Sequence, residues 1–192
     1  MKKQMVSLLL ILSLILTLGL SACSKAAEEA QPAETEPVSL EPVIADYLAA
    51  EVGKDYDKAD ACIPTVYVVG TEEAENGDVT VYGDFWVENF DLKDDTLECV
   101  SGGHYPGVMQ LKKDGDTYSV AKFDVPEDGA DFDASAKKLF GKFYDAWQKY
   151  SSDDAARKKQ RTKAIADYVK ANDLDVTQYQ DYGWDPVALP TK

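Results

Sequence analysis

The sequence predicts an α+β domain: an antiparallel meander sheet of four to five strands, with one helix before it and two helices after it. Three observations predict this. Apolar residues recur at helical spacing near residues 40–53, alternate with a period of two from residue 62 to 125, and return to helical spacing beyond residue 131. The links between the alternating segments are shorter than the crossovers that parallel strands need, so we expect antiparallel neighbours.

The first helix is predicted to begin after Ser39, whose side chain can cap it, with Pro42 in its first turn. Gly53 is expected to end it, because glycine is common directly after a helix. The apolar residues that recur at helical spacing between these ends are Ile44, Tyr47, Leu48 and Val52.

Five segments carry the alternation of apolar and polar residues that is typical of strands. They are residues 63–70, 79–90, 97–101, 108–112 and 118–125. Turn residues separate them, with Asn76-Gly77 after the first strand and Asp114-Gly115 inside the clearest hairpin. The pair Gly102-Gly103 is expected to interrupt the third strand.

Two helices are predicted after the sheet. Asp131 or Asp133 can cap the first, and the second is expected to begin at Ser152 and end near Asn172. The apolar stripe of the first helix is Ala136, Leu139, Phe140, Phe143, Tyr144, Trp147 and Tyr150. The tail, residues 179–190, is aromatic but has no regular pattern.

Residues 39–192 are thus predicted to form a single α+β domain, with the helices on one face of a curved sheet. The order of elements is similar to that of cystatin-like and nuclear-transport-factor-like curved sheets. An analogy of this kind predicts a fold and no function.

The N-terminus has the form of a secretory signal: the basic start Met1–Lys3, then an apolar stretch that ends in Leu20-Ser21-Ala22-Cys23. These last four residues resemble the lipobox of bacterial lipoproteins, in which the cysteine sulfur receives a diacylglyceryl group and the signal is removed. The resemblance implies a signal peptide over residues 1–22, lipidation of Cys23, and anchoring on the extracytoplasmic face of the cell membrane. An uncleaved anchor is the alternative, although the run is slightly short for a span of about 20 residues.

Residues 24–38 are rich in Ala, Glu, Pro and Thr and contain no aromatic residue, so residues 23–38 are predicted to be the lipidated cysteine and a disordered tether. Without the two lysines of the signal, 18 bases remain against 35 acids, a formal charge of −17. Such a surface excludes nucleic acid as a partner, because phosphate binding needs basic residues. Contact with the membrane would therefore come from the lipid on Cys23.

A second resemblance covers residues 100–141. It rests on GGHYPGVMQLKK from Gly102 to Lys113, then Tyr118-Ser119-Val120, Pro126-Glu127-Asp128-Gly129 and Phe140-Gly141. This block resembles one in uncharacterised lipoproteins of Gram-positive gut bacteria and, more distantly, the extracytoplasmic part of antirepressor-type membrane metallopeptidases. The resemblance implies an extracellular domain with a sensory or regulatory role. It implies no peptidase site, because the HExxH motif is absent.

No pattern typical of an active site or a metal site stands out. His104 is the only histidine and has no accompanying nucleophile motif, so we interpret it as a turn or strand-edge residue. Residues 127–133 contain four acids, which calcium could use, but turn formation and helix capping explain them equally. We expect no catalytic residue, no metal ligand and no cofactor.

The basic run on the last predicted helix consists of Arg157, Lys158, Lys159, Arg161 and Lys163. It is interpreted as a solvated face with local ion pairs, and the alternative is a docking patch for an acidic partner or wall polymer.

The two remaining cysteines lie on segments expected to flank the strand over residues 79–90. Their predicted neighbours on it are Trp86 for Cys62 and Glu88 for Cys99, which places the cysteines two strand spacings, or ~9.6 Å, apart. A disulfide needs Cα atoms within about 7 Å. An extracytoplasmic location favours a disulfide, whereas this geometry favours two free thiols.

The strand over residues 79–90 is the best candidate for ligand binding. Its core face is predicted to carry Val79, Val81, Phe85 and Val87. The candidate ligand-binding residues on its other face are Tyr82, Asp84, Trp86, Glu88 and Phe90. Aromatic rings that alternate with carboxylates can stack a sugar or hold a cationic group. The alternative is that a helix or the tail covers this face, and the tail aromatics that could act as lids are Tyr179, Tyr182 and Trp184.

These features predict a non-enzymatic lipoprotein that binds an extracellular ligand or an envelope protein, with a sensory role as one form of this function. The alternative is a cell-wall or peptide-processing hydrolase that uses Asp84 and Glu88 on the aromatic face. A deep pocket with two close carboxylates would favour the hydrolase. A third class, an inhibitor, would need an exposed hairpin wedge that the sequence does not reveal.

Overall fold

The computed structural model describes residues 39–190, so the predicted signal, lipidation site and tether lie outside the described residues. The strands are β1 (Ala61–Glu73), β2 (Val79–Lys93), β3 (Thr96–His104), β4 (Gly107–Asp114), β5 (Thr117–Asp124), β6 (Gln178–Gln180) and β7 (Val187–Ala188). The helices are α1 (Leu40–Tyr47), α2 (Phe132–Phe140), α3 (Tyr144–Ser151) and α4 (Asp154–Ala171). One curved, mostly antiparallel sheet with flanking helices confirms the predicted α+β class.

The sheet is organised around β2, which pairs with β1 along one edge and with both β3 and β4 along the other. Trp86 of β2 lies opposite His104 at the end of β3, and Gly83 of β2 lies opposite Gly107 at the start of β4. The register of β2 does not shift between these two pairs. β3 and β4 therefore act as one long partner of β2. The interruption falls at Pro106, which has no N–H to donate, and not at Gly102-Gly103 as predicted.

Helices pack on both faces of the sheet. On one face, Ile44 of α1 and Leu48 just beyond it join the predicted core residues of β2, where Val81 and Phe85 are fully buried. On the other face, α2 and α3 contribute Phe140 and Trp147, and α4 packs further along. The expectation of helices on one face is wrong, because β2 has large side chains on both sides that must leave water.

The first predicted C-terminal helix is two helices. Gly141 adopts φ +52° and ψ −122° and starts a short 3₁₀ turn, Gly141–Phe143, that separates α2 from α3. Side chains other than glycine rarely adopt such a φ, so the glycine allows the break. The second helix begins after Asp153 rather than at Ser152, because the Asp153 carboxylate accepts a hydrogen bond from the N–H of Ala156 at 3.0 Å.

The tail is ordered by the sheet, although the sequence predicted no regular structure for it. β6 pairs in parallel with β3, and β7 pairs antiparallel with β6. Tyr179 of β6 is 1% exposed and packs beside Ile165 and Val169 of α4. Within residues 39–190, no helix combines the length and the apolar character that crossing a membrane would require.

Both described cysteines are free thiols on opposite faces of the sheet. Cys62 lies opposite Asn89 and packs on the α1 side, and Cys99 lies opposite Phe90 and packs on the α4 side. The predicted neighbours were three residues away for Cys62 and two for Cys99, because both turns centre later in the chain than the prediction placed them: Glu73 lies opposite Val79, and Lys93 lies opposite Thr96. The reason for expecting free thiols holds, since β2 separates the two cysteines.

Candidate functional site

A cavity of about 880 Å³ lies between the sheet, the start of α4 and the C-terminal tail. Thr65 of β1 and Trp86 of β2 lie directly opposite each other in the sheet and form its floor. The other lining residues come from β2, α3, α4 and the tail, and they are Glu88, Tyr150, Asp154, Arg157, Lys158, Arg161, Tyr179, Asp181, Trp184, Asp185, Pro186 and Val187. The cavity thus combines aromatic rings with charged groups of both signs.

Of the five predicted ligand-binding residues, Trp86 and Glu88 line this cavity, and Tyr82, Asp84 and Phe90 do not. Tyr82 packs against Phe143 with ring centroids 4.6 Å apart. Phe90 is fully buried beneath α4. The five residues do share one face of β2, but the helices cross that face and leave only its middle open.

Asp84 lies behind Trp86 and is fully buried. Its carboxylate accepts hydrogen bonds from the indole N–H of Trp147 at 2.8 Å and of Trp86 at 3.1 Å, and Nε2 of His104 lies 2.9 Å away. The imidazole also stacks on the Trp86 ring, with centroids 4.3 Å apart. Buried carboxylates are stable when several donors satisfy them, so Asp84 fixes the orientation of Trp86.

The sequence analysis did not predict that His104 would meet Asp84. Its position at the end of β3 agrees with the predicted strand-edge role, and the register places it opposite Trp86. A single signal was available: Asp84 lies between aromatic residues on a long strand, and a carboxylate that is buried there needs hydrogen-bond donors.

Arg161 connects the sheet to the tail. Its Nε donates to Glu88 at 2.8 Å, and its Nη1 donates to Asp181 at 2.8 Å. The guanidinium carbon also lies 4.9 Å from the centroid of the Tyr179 ring. Burial raises the pKa of Glu88, and the nearby Arg161 guanidinium opposes that rise. This ion pair holds the tail turn in place at the mouth of the cavity.

The tail turn presents Trp184 at the rim. The N–H of Trp184 donates to the carbonyl of Asp181 at 3.0 Å, and Gly183 between them has φ +78°. The side-chain amide of Gln180 then donates to the carbonyl of Trp184 at 2.7 Å. Trp184 is 75% exposed, so it borders the cavity without filling it.

The other two predicted lids do not cover the cavity: Tyr179 lines its wall from the core, and Tyr182 lies outside the lining. Tyr179 is a core residue whose hydroxyl lies 2.9 Å from that of Thr162. Tyr182 is 96% exposed and does not line the cavity. Of the three predicted lid residues, only Trp184 therefore borders the mouth of the cavity.

The basic run of α4 divides between structure and cavity. Arg161 forms the buried ion pair, and Arg157 pairs with Asp154. Lys163 forms an exposed pair with Asp167 at 2.6 Å. Local ion pairs were predicted, but the lining of a cavity by Arg157, Lys158 and Arg161 was not.

One group of potential metal ligands occurs in the described part of the chain: Glu88, Cys99 and Asp181, with ligand atoms within 4.8 Å of one another. The Arg161 guanidinium already binds both carboxylates. Burial also raises the pKa of Cys99 to about 11, so its thiol keeps its proton at neutral pH. The donor set therefore fits an ion-pair cluster better than a cation site.

Comparisons of the chain with protein-family models, with curated proteins and with solved structures found no match. The functional argument accordingly rests on the geometry of the cavity.

Proposed function

We propose that this chain is a lipid-anchored extracytoplasmic binding protein whose domain takes a small ligand in the cavity between Trp86 and Trp184. The observation that carries the proposal is the cavity itself. Its volume of about 880 Å³ lies within the roughly 300–1,000 Å³ of typical ligand sites. Aromatic surface and a few oriented polar groups are the usual lining of such sites.

The floor of the cavity is preorganised, which supports a binding role. Trp86 is held by Asp84 and stacked on His104, so its ring is already in place before a ligand arrives. Trp184 is held by the hydrogen bonds of the tail turn. Preorganised groups raise affinity because less conformational freedom is lost on binding.

The state of the acids favours binding over hydrolysis. A hydrolase of the predicted type would use Asp84 and Glu88 to exchange protons with a substrate. Asp84 is enclosed by Trp86, Trp147 and His104, and Glu88 is bound to Arg161. Neither carboxylate is left to act as a mobile acid or base.

The sequence supports the location. The lipobox predicts a diacylglyceryl group on Cys23, and residues 24–38 would hold the acidic domain away from the bilayer. The ligand would then be a compound present outside the cell membrane.

The proposal is tested with the mature chain, residues 23–192, in detergent micelles, against a library of water-soluble metabolites. We compare the wild type with Trp184→Ala and use Tyr182→Ala as the control, because Tyr182 is more exposed, lies two residues away and does not line the cavity. A ligand at about 100 times its Kd should stabilise the wild type and the control by about 2.7 kcal/mol.

This stabilisation is measured as a ligand-induced rise in melting temperature, and Trp184→Ala should lose most of that rise. Equal shifts in all three proteins would show that the cavity is not the binding site.

A further inference from the structure

Two buried side-chain polar atoms in residues 39–190 have no hydrogen-bond partner among the protein groups of that range, and both belong to residues that line the cavity. They are Oγ1 of Thr65 and Nε of Arg157. Buried polar atoms in folded proteins are nearly always paired, so each exception needs an explanation. A polar group of a bound ligand that hydrogen-bonds to both atoms would explain why two such atoms occur at one cavity.

The polar groups left over in the cavity are mainly donors. Glu88 and Asp181 are bound to Arg161, and Asp154 is bound to Arg157. Lys158 forms no ion pair within residues 39–190, and the unpaired Arg157 Nε carries a hydrogen. Asp185 is the one lining carboxylate outside these pairs.

Tyr150 adds another donor to the same wall. Burial raises its pKa to about 12, so the phenol keeps its proton at neutral pH. Its ring is held in place by stacking on Tyr67, with centroids 3.4 Å apart. A group that accepts hydrogen bonds and carries negative charge would complement these donors.

We infer that Thr65 and Arg157 mark an anion subsite, which takes the carboxylate of a ring-shaped ligand. The inference rests on the proposed function. Thr65 lies directly across the sheet from Trp86, so a carboxylate held at Thr65 and Arg157 places its ring along Trp86 and towards Trp184. The Arg157 side chain is 31% exposed overall, although its Nε is buried, so a rotation of the side chain can direct the Nε–H into the cavity when an acceptor arrives.

A carboxylate on a six-membered ring can come from a sugar acid or from an aromatic acid. The experiment separates the two with matched pairs: glucuronate against glucose, and 4-hydroxybenzoate against 4-hydroxybenzamide. Binding is measured by isothermal titration calorimetry on the mature chain in micelles.

At least one acid should bind the wild type about tenfold more tightly than its neutral partner, because a charge-assisted hydrogen bond is worth about that factor. The pair that shows this preference identifies the source of the ring.

The variants are Arg157→Gln, Arg157→Lys and the control Lys159→Gln, which changes an exposed charge on the same helix outside the cavity lining. Arg157→Gln should reduce acid binding about tenfold and reduce the binding of the neutral partners by a smaller factor. Arg157→Lys keeps the charge, so its affinity for the acid should lie between those of the wild type and Arg157→Gln. The control should match the wild type, and circular dichroism melts check that each variant folds.

The inference is overturned if acids and neutral partners bind equally, if no acid binds, or if Arg157→Gln binds acids as the wild type does. A different cavity ligand that depends on Trp184 but not on Arg157 would overturn the inference and leave the proposed function standing. Binding that is independent of Trp184 would overturn both.

Discussion

The carboxylate of Asp84 accepts a hydrogen bond from the indole N–H of Trp147 at 2.8 Å, although the two residues are 63 positions apart in the chain. Asp84 belongs to the central strand and Trp147 to α3, so the bond ties the helical layer to the sheet. The same carboxylate orients Trp86 at the floor of the cavity. A single buried acid thus connects the stability of the domain with the shape of its site.

We expect Asp84→Asn to lower the free energy of unfolding by about 2–3 kcal/mol. The amide keeps one acceptor oxygen, but its NH₂ group faces indole donors and leaves at least one of them unpaired in the core. Urea denaturation of the mature chain measures the loss, with Asp185→Asn at the cavity rim as the matched control. Equal midpoints for the two variants would contradict the role of Asp84.

We expect Arg161→Met to destabilise the domain by about 3 kcal/mol at neutral pH, because it leaves Glu88 buried without its partner. Lys163→Met, which breaks an exposed pair on the same helix, should cost less than about 1 kcal/mol.

The loss of stability in Arg161→Met should depend on pH. The pKa of Glu88 is raised above its ordinary 4.5 by burial, and removing the opposing guanidinium raises it further. A carboxyl group whose pKa is higher in the folded than in the unfolded protein stabilises the fold at pH values below its ordinary pKa. This stabilisation is lost as the pH rises through the pKa of the folded protein. The deficit relative to the wild type should therefore shrink between about pH 7.5 and about pH 5. A deficit that stays constant or grows towards pH 5 would refute the assignment to Glu88.

We expect Thr65→Val to stabilise the ligand-free domain by about 1 kcal/mol, which raises the melting temperature by about 2–4 °C. Valine has nearly the shape of threonine and removes a buried hydroxyl without a partner. Thr96→Val is the matched comparison, because the Thr96 hydroxyl accepts from Gln178 at 2.8 Å. It should destabilise the domain. If both variants shift the melting temperature in the same direction, the Thr65 hydroxyl is not unpaired.

We expect intact-protein mass spectrometry to find a mature chain that starts at Cys23 and carries a diacylglyceryl group. Cys23→Ala should retain residues 1–22 and carry no lipid, because the lipobox then lacks its acceptor sulfur. Cys62→Ala is the control and should be processed as the wild type is. A wild-type chain that keeps its first 22 residues would instead support the uncleaved anchor.

Much of the fold was predictable because the relevant signals are local. Alternation along residues 79–90 identified the face of β2 that carries Val81 and Phe85, and both are fully buried. Helical spacing located α1, the α2–α3 region and α4 to within a few residues. The break at Gly141 was missed, because a glycine within an apolar stripe does not reveal its own φ.

The candidate site was predictable only in part. Trp86 and Glu88 were among the predicted ligand-binding residues, since the strand pattern places them on one face. Arg157 and Trp184 could not be added to them from the sequence. Their positions depend on where α4 and the tail pack, and residues that far apart in the chain leave no local pattern.

The sequence by itself determined the α+β class, the strand alternation and the helical stripes, because each depends on neighbours a few residues apart, and local residues also predict the lipobox. Only the tertiary structure decided which face of β2 stays open, which acids are paired and which donors are left over. Asp84 meets Trp147, and Arg161 meets both Glu88 and Asp181, through packing that brings distant segments together. The desolvation of those charges decides what the cavity can bind, and it exists only once the core has formed.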